Sequence, residues 1–231
     1  MKAKILRAVA EARARESELE AMCVDAPPDQ SGRWYAKDHL AHLASWRFRA
    51  ARTLDAVRTG AEPPPSVDDD AQNAIFYAEN RDRPADEVKA LAAESWLAVQ
   101  SAVEACTEED LARPHPREPD AQAWMIVPGV GGHVGVHLMW LHLERGDRRR
   151  AEAAAKWGYQ LETAAFDSDK ERAIAAYNLA CFYALVDRAD DALPLLRQSF
   201  EAKPDLVALA RRDPDLDPIR DSAGLKELLA T

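Results

Sequence analysis

The sequence predicts an all-α protein. Only 9 of its 231 residues are glycine, long stretches place apolar residues every 3.6 positions, and runs of alternating β-branched residues are hard to find. Helices are predicted over about residues 2–24, 34–59, 84–106 and 128–145, with a shorter one over 71–80. Each long helix stops at a recognisable breaker: the Pro-Pro-containing segment 26–32 after the first, GAEPPPSVDDD (60–70) after the second and RPHPREPD (113–120) after the third. Four helices joined by connections long enough to cross over define a four-helix bundle. Asp68, Asp69 and Asp70 follow three prolines and read as a solvated linker and helix N-cap.

Beyond Gly146 the pattern changes, which places a first domain at 1–146 and a second at 147–231. The run Arg148-Arg149-Arg150 marks a solvated start to a helix over 148–165. From Ala173 onward, Leu179 and Ala180, Tyr183, Ala192 and Pro204 fall at the leucine-small, aromatic, small and terminator positions of the tetratricopeptide consensus. The second domain therefore reads as a short tetratricopeptide-like (TPR-like) helical hairpin. One repeat is legible where about three bury a continuous core, so the hairpin must lean on the 148–165 helix, on the tail LDPIRDSAGLKELL or on the bundle.

With 30 Lys+Arg against 40 Asp+Glu, the formal net charge is −10. That disfavours nucleic acid and acidic membrane surfaces as partners. Three widely spaced cysteines match neither a disulfide framework nor a cysteine zinc site, which fits a reducing, cytoplasmic setting. The N terminus turns charged before any apolar stretch reaches signal-peptide length. The segment 121–143 lacks Asp, Glu, Lys and Arg, but its three histidines, one proline and four glycines make a soluble core helix the better reading than a membrane span.

On the second helix, Tyr35, Leu40, Leu43, Trp46, Ala50, Leu54 and Val57 form the core-facing arc, with His39 inside it and His42 at its edge. Asp38, four residues before His42, is near enough to touch it or support it. On the fourth helix, His133 and His137 are one turn apart and project from one face. Two histidines four apart, with a third on a facing helix, supply three nitrogen ligands and leave metal positions open for water or substrate. The same spacing also occurs in ordinary core histidines, and both readings stand on spacing alone. Gly131, Gly132 and Gly135 fit either close helix approach or a pocket. His115 and His142 read as surface or loop residues, and Cys106, followed by Glu108 and Glu109, as structural.

The segment from Trp34 through Lys37-Asp38, His42 and Trp46, followed downstream by His133-Val-Gly-Val-His137, resembles the DinB-like superfamily of four-helix bundles, and within it most closely the DfsB/ClbS-type branch. The resemblance covers about residues 1–146. It implies a divalent metal, such as zinc, nickel or iron, held by His42, His133 and His137. It also implies an activity range: transfer of low-molecular-weight thiols, glutathione-dependent isomerisation, or opening of strained electrophiles. The expected function is a metal-dependent thiol transferase or hydrolase acting on a small electrophilic molecule, with Tyr35, Trp46 and Trp140 as apolar pocket walls, joined by Phe76 or Tyr77. No nucleophile is identified. The alternative is a non-catalytic binding protein whose TPR-like unit docks a peptide partner or forms a homodimer; a third reading is a tryptophan-lined pocket that sequesters a reactive small molecule.

Overall fold

The structure, a computed structural model, describes residues 1–25, 34–65, 68–117 and 121–230. The predicted break at 26–32 lies outside the described residues, as do parts of the other two. Among the described residues eleven α-helices run in order as α1 (Lys2–Met22), α2 (Ala36–Thr59), α3 (Asp69–Asn80), α4 (Ala85–Ala105), α5 (Glu108–Ala112), α6 (Ile126–Glu144), α7 (Arg148–Ala165), α8 (Asp169–Leu185), α9 (Ala189–Ala202), α10 (Leu206–Ala210) and α11 (Ala223–Ala230). Among the described residues, strand-type pairing is limited to an isolated bridge between Pro114 and Gln122. No described helix is long and apolar enough to cross a membrane. The chain divides into two compact units, Met1–Val134 and Gly135–Thr231. The division falls inside α6, whereas the sequence places it at Gly146, beyond the end of that helix.

In the first unit α2 is the central rod. It packs against α1, α3 and α4, and α1 also packs on α4, which explains why α2 is buried around most of its circumference from Ala36 to Ala56. α1 contributes a single stripe, Ile5, Ala8, Val9, Ala12, Glu16 and Leu19, at the i, i+3, i+4 spacing of an amphipathic helix. α4 contributes Val88, Ala92, Ser95, Trp96, Val99 and Val103. The N terminus of α3 is capped as expected, Asp68 Oδ1 accepting from the Asp70 and Ala71 amides at 3.0 and 3.4 Å. Its far end is held by the buried Lys37, whose Nζ donates to the carbonyls of Arg81 and Arg83 at 2.7 and 3.0 Å.

A charged network lies inside this core. Arg47 and Glu16 have fully buried side chains. Arg47 Nη1 and Nη2 donate to the two Glu16 oxygens at 2.5 and 2.9 Å, and its Nε donates to Ser95 Oγ at 2.8 Å. Trp96 Nε1 donates to Glu16 Oε1 at 2.8 Å, and the guanidinium carbon sits 4.1 Å from the Trp96 ring centroid. Burial pushes the Glu16 carboxyl up and the Arg47 guanidinium down, outweighing their mutual attraction, as desolvation does to ion pairs removed from water.

In the second unit α7 packs on α8 and α8 pairs with α9. The α8–α9 turn passes through Asp187 at φ 60°, and Ser199 Oγ on α9 donates to the Ala173 carbonyl on α8 at 3.0 Å. The tail folds back onto α8. Tyr177 Oη donates to Asp213 Oδ2 at 2.7 Å, and Leu216, Ile219 and Leu225 are buried. Gly135 opens this unit, and a Cβ there would stand 2.9 Å from both the Ala154 carbonyl oxygen and Gly158 Cα. Those are backbone atoms, so the helices must move apart. Gly129, on the same helix, has nothing within 4 Å of its would-be Cβ. Gly135→Ala is expected to destabilise the protein by about 1–3 kcal/mol through overpacking. Gly129→Ala is expected to stabilise it by up to about 1 kcal/mol through helix propensity. Urea unfolding of the two variants checks this, and equal shifts would refute the close approach.

Candidate metal centre

α2 begins immediately after Trp34 and Tyr35 because the Asp38 carboxylate accepts from the Tyr35 amide, Oδ2 at 2.9 Å, closing the first turn. Asp38 thus shapes the helix start. The entry turn leaves Trp34 outside the helix, with its ring steeply inclined to the α2 histidines. Its centroid is 5.4 Å from that of His39 and 5.1 Å from that of His42, at 65° and 59° between planes. Tyr77 of α3 stacks on Trp34 at 5.8 Å with the planes 5° apart.

α6 carries the other two histidines. Pro128 stands in its first turn, where its missing N–H has no intrahelical carbonyl to serve. From there the helix delivers His133 and, one turn on, His137. The rings of His42 and His133 are 5.1 Å apart and tilted by 74°. One potential ligand nitrogen from each of His42, His133 and His137 lies within 4.8 Å of the others. His42 and His137 are buried and His133 is partly exposed, so the cluster has one more open side.

These donors suit a divalent cation. A metal–nitrogen bond of about 2.0–2.1 Å in a tetrahedral set places ligand nitrogens roughly 3.4 Å apart, inside the 4.8 Å that encloses all three here. Ligand imidazoles must be neutral, and two of these three are held so. Burial depresses His42 to about 4. It depresses His133 to about 3, with His42, Arg47 and His39 adding repulsion. His39 falls to about 3 for the same first reason, helped by His42.

The expected wall residues are distributed unevenly. Trp46 packs against His42 at 6.3 Å, donates from Nε1 to Asn73 Oδ1 at 3.0 Å, and meets Phe76 edge-on at 5.5 Å. Tyr35 is half-buried at the N-cap, and the ring against His42 from this entry segment belongs to its neighbour Trp34. Trp140 is half-buried on α6, three residues past His137. His142 is a correction: it is 2% exposed, since α6 is buried on more than the one face that periodicity assigns. His115 lies in a loop, its Nδ1 accepting from the Arg117 amide at 3.1 Å. The Cys106 thiol is raised, first by burial and then by Asp110, which leaves it a poor nucleophile. Trp34 was legible only as the residue opening the helix; being outside it, it carries no helical phase to mark its contacts.

An all-helical chain that brings one nitrogen from each of three mostly buried histidines within 4.8 Å of the others falls in a class of candidate metal-binding bundles. A family model of the DinB superfamily matches residues 6–144, and the chain belongs to that superfamily. No curated protein and no solved structure matches the chain.

Proposed function

We propose that the protein holds a divalent cation, zinc, nickel or iron, at His42, His133 and His137, and uses it in a thiol-transfer or hydrolytic reaction on a small electrophilic molecule, as related DinB-like bundles do. The observation that carries this is the meeting of three ligand nitrogens from two helices within 4.8 Å. When bound, a three-nitrogen metal with open positions lowers the pKa of a coordinated water or thiol and supplies a nucleophile at neutral pH. The chain's own contribution is to keep His42 and His133 neutral by burial and to line the approach with Trp34, Trp46, Tyr77 and Phe76. Those rings exclude water and favour an apolar substrate body.

Metal analysis of protein purified without a histidine tag tests the reading. The expected result is one tightly held cation per chain. His42→Ala, His133→Ala and His137→Ala are each expected to weaken metal binding by more than the ~10–100-fold that an outer-shell change costs. Absence of bound metal, together with titrations insensitive to all three substitutions, overturns it.

A second reading concerns the TPR-like segment. Leu179, Ala180 and Tyr183 lie on α8, Ala192 on α9 and Pro204 beyond the end of α9, and Ile174 on α8 is 42% exposed. The reading is that this hairpin docks a peptide or a second copy of the chain. A monomer by light scattering across the micromolar range, unchanged by Ile174→Glu, dismisses the homodimer.

A further inference from the structure

A second concavity in the first unit, of about 460 Å³, lies where α2, α3 and α4 meet. That is within the ~300–1,000 Å³ span of small-molecule sites. Its walls are apolar: Phe48 from α2, Phe76 from α3 and Leu91 from α4. Two polar side chains more than nine-tenths buried stand at its inner end. Asn80 Nδ2 donates to the Phe76 carbonyl at 2.8 Å and to Ser45 Oγ at 3.4 Å, so the amide is fixed in orientation. Three exposed charged groups line the rest: Arg52, Glu79 and Arg83.

The balance of those charges selects a ligand class. The chain as a whole carries −10, yet this mouth holds two guanidinium groups against one carboxylate. Arg83 has only a long contact to Glu87, 3.9 Å, and no carboxylate of the described residues lies within ion-pair distance of Arg52. Both forks are available to a carboxylate, for which guanidinium geometry is suited. We propose that this cavity binds a small organic anion, a monocarboxylate on an unbranched or aromatic apolar body. The head group meets Arg52 and Arg83, and the body covers Phe48, Phe76 and Leu91. The Phe76 ring packs edge-on against Trp46, so a ring pair separates this cavity from the histidine cluster and binding needs no metal.

Calorimetric titration of the metal-free full-length chain with octanoate, octan-1-ol and octylammonium tests this. Octanoate is expected to bind about tenfold more tightly than octan-1-ol, the difference a charge-assisted head-group contact supplies. The double variant Arg52→Gln/Arg83→Gln is expected to erase that preference while leaving octan-1-ol unchanged, and Phe48→Ala to weaken both ligands. Both arginines are exposed, so a melting curve matching the parent's confirms that the double variant is folded. A preference for octylammonium, equal binding of octanoate and octan-1-ol, or a preference that survives in the double variant overturns the proposal.

Discussion

Metal-free protein is expected to lose on the order of 5 kcal/mol of stability between pH 7 and pH 5, through the imidazoles of His39, His42 and His133. His39, His42 and His133 titrate at about 3, 4 and 3 in the fold, against an ordinary value near 6.5 in an unfolded chain. Below pH 6.5 the unfolded chain therefore binds protons that the fold refuses, so stability rises with pH across this window and falls as acid is added. The contribution is fully present above about pH 6.5 and disappears as pH drops towards 4. Each group supplies roughly 2 kcal/mol of the change at about 1.4 kcal/mol per pKa unit. Urea midpoints of chelator-treated protein at pH 7.5, 6 and 5 measure it, and a flat midpoint would sink the account. His39 is the informative control, because it lies outside the three-nitrogen cluster. His39→Leu is expected to remove about a third of the pH dependence while sparing metal binding. Added zinc is expected to shift the acid transition to lower pH, since a cation and protons compete for the same nitrogens.

Two of the three histidines of the candidate centre were legible in sequence because helical spacing fixes which side chains share a face: four residues bring His133 and His137 together without any tertiary information. That His42 faces them depends on how α2 and α6 pack. Spacing leaves that open, and it entered only through the DinB resemblance. The helix bounds were close to those observed, since prolines and capping aspartates such as Asp68 and Asp147 act locally. What escaped was set by neighbours in space. Trp34 packs against His42 from outside any helix, and His142 is buried on a face that a single stripe does not predict. Arg47 and Glu16 were readable and were not read. Arg47 falls in phase with Leu40, Leu43 and Leu54 on α2, and Glu16 with Ile5, Ala12 and Leu19 on α1. A charged residue on each of two apolar stripes is the sequence signature of a buried pair, because neither can be inside alone.

That pair gives the other large effect. Arg47→Ala is expected to cost about 3–5 kcal/mol, because it leaves the Glu16 carboxylate buried with Trp96 Nε1 as its remaining donor and opens a cavity under the Trp96 ring. Glu16→Ala is expected to cost a similar amount, stranding a guanidinium in the core. The double variant Glu16→Leu/Arg47→Met is the decisive comparison. With both charges gone the desolvation penalty disappears, and the stability of the double variant is expected to return close to that of the parent or exceed it by about 1–4 kcal/mol. Denaturant titrations of the four proteins close a double-mutant cycle, in which a coupling energy near zero would mean that the charges are solvated after all. The same cycle bears on the histidines. Arg47 is a lesser contributor, after burial and His42, to the depression of His133, so the double variant is expected to raise the His133 pKa only slightly and to leave most of the acid dependence of the metal-free protein in place. The ion pair thus does two things at once: it ties α1 and α2 together through four directed hydrogen bonds that also engage Ser95 and Trp96 of α4, and its guanidinium adds to the repulsion that keeps His133 unprotonated.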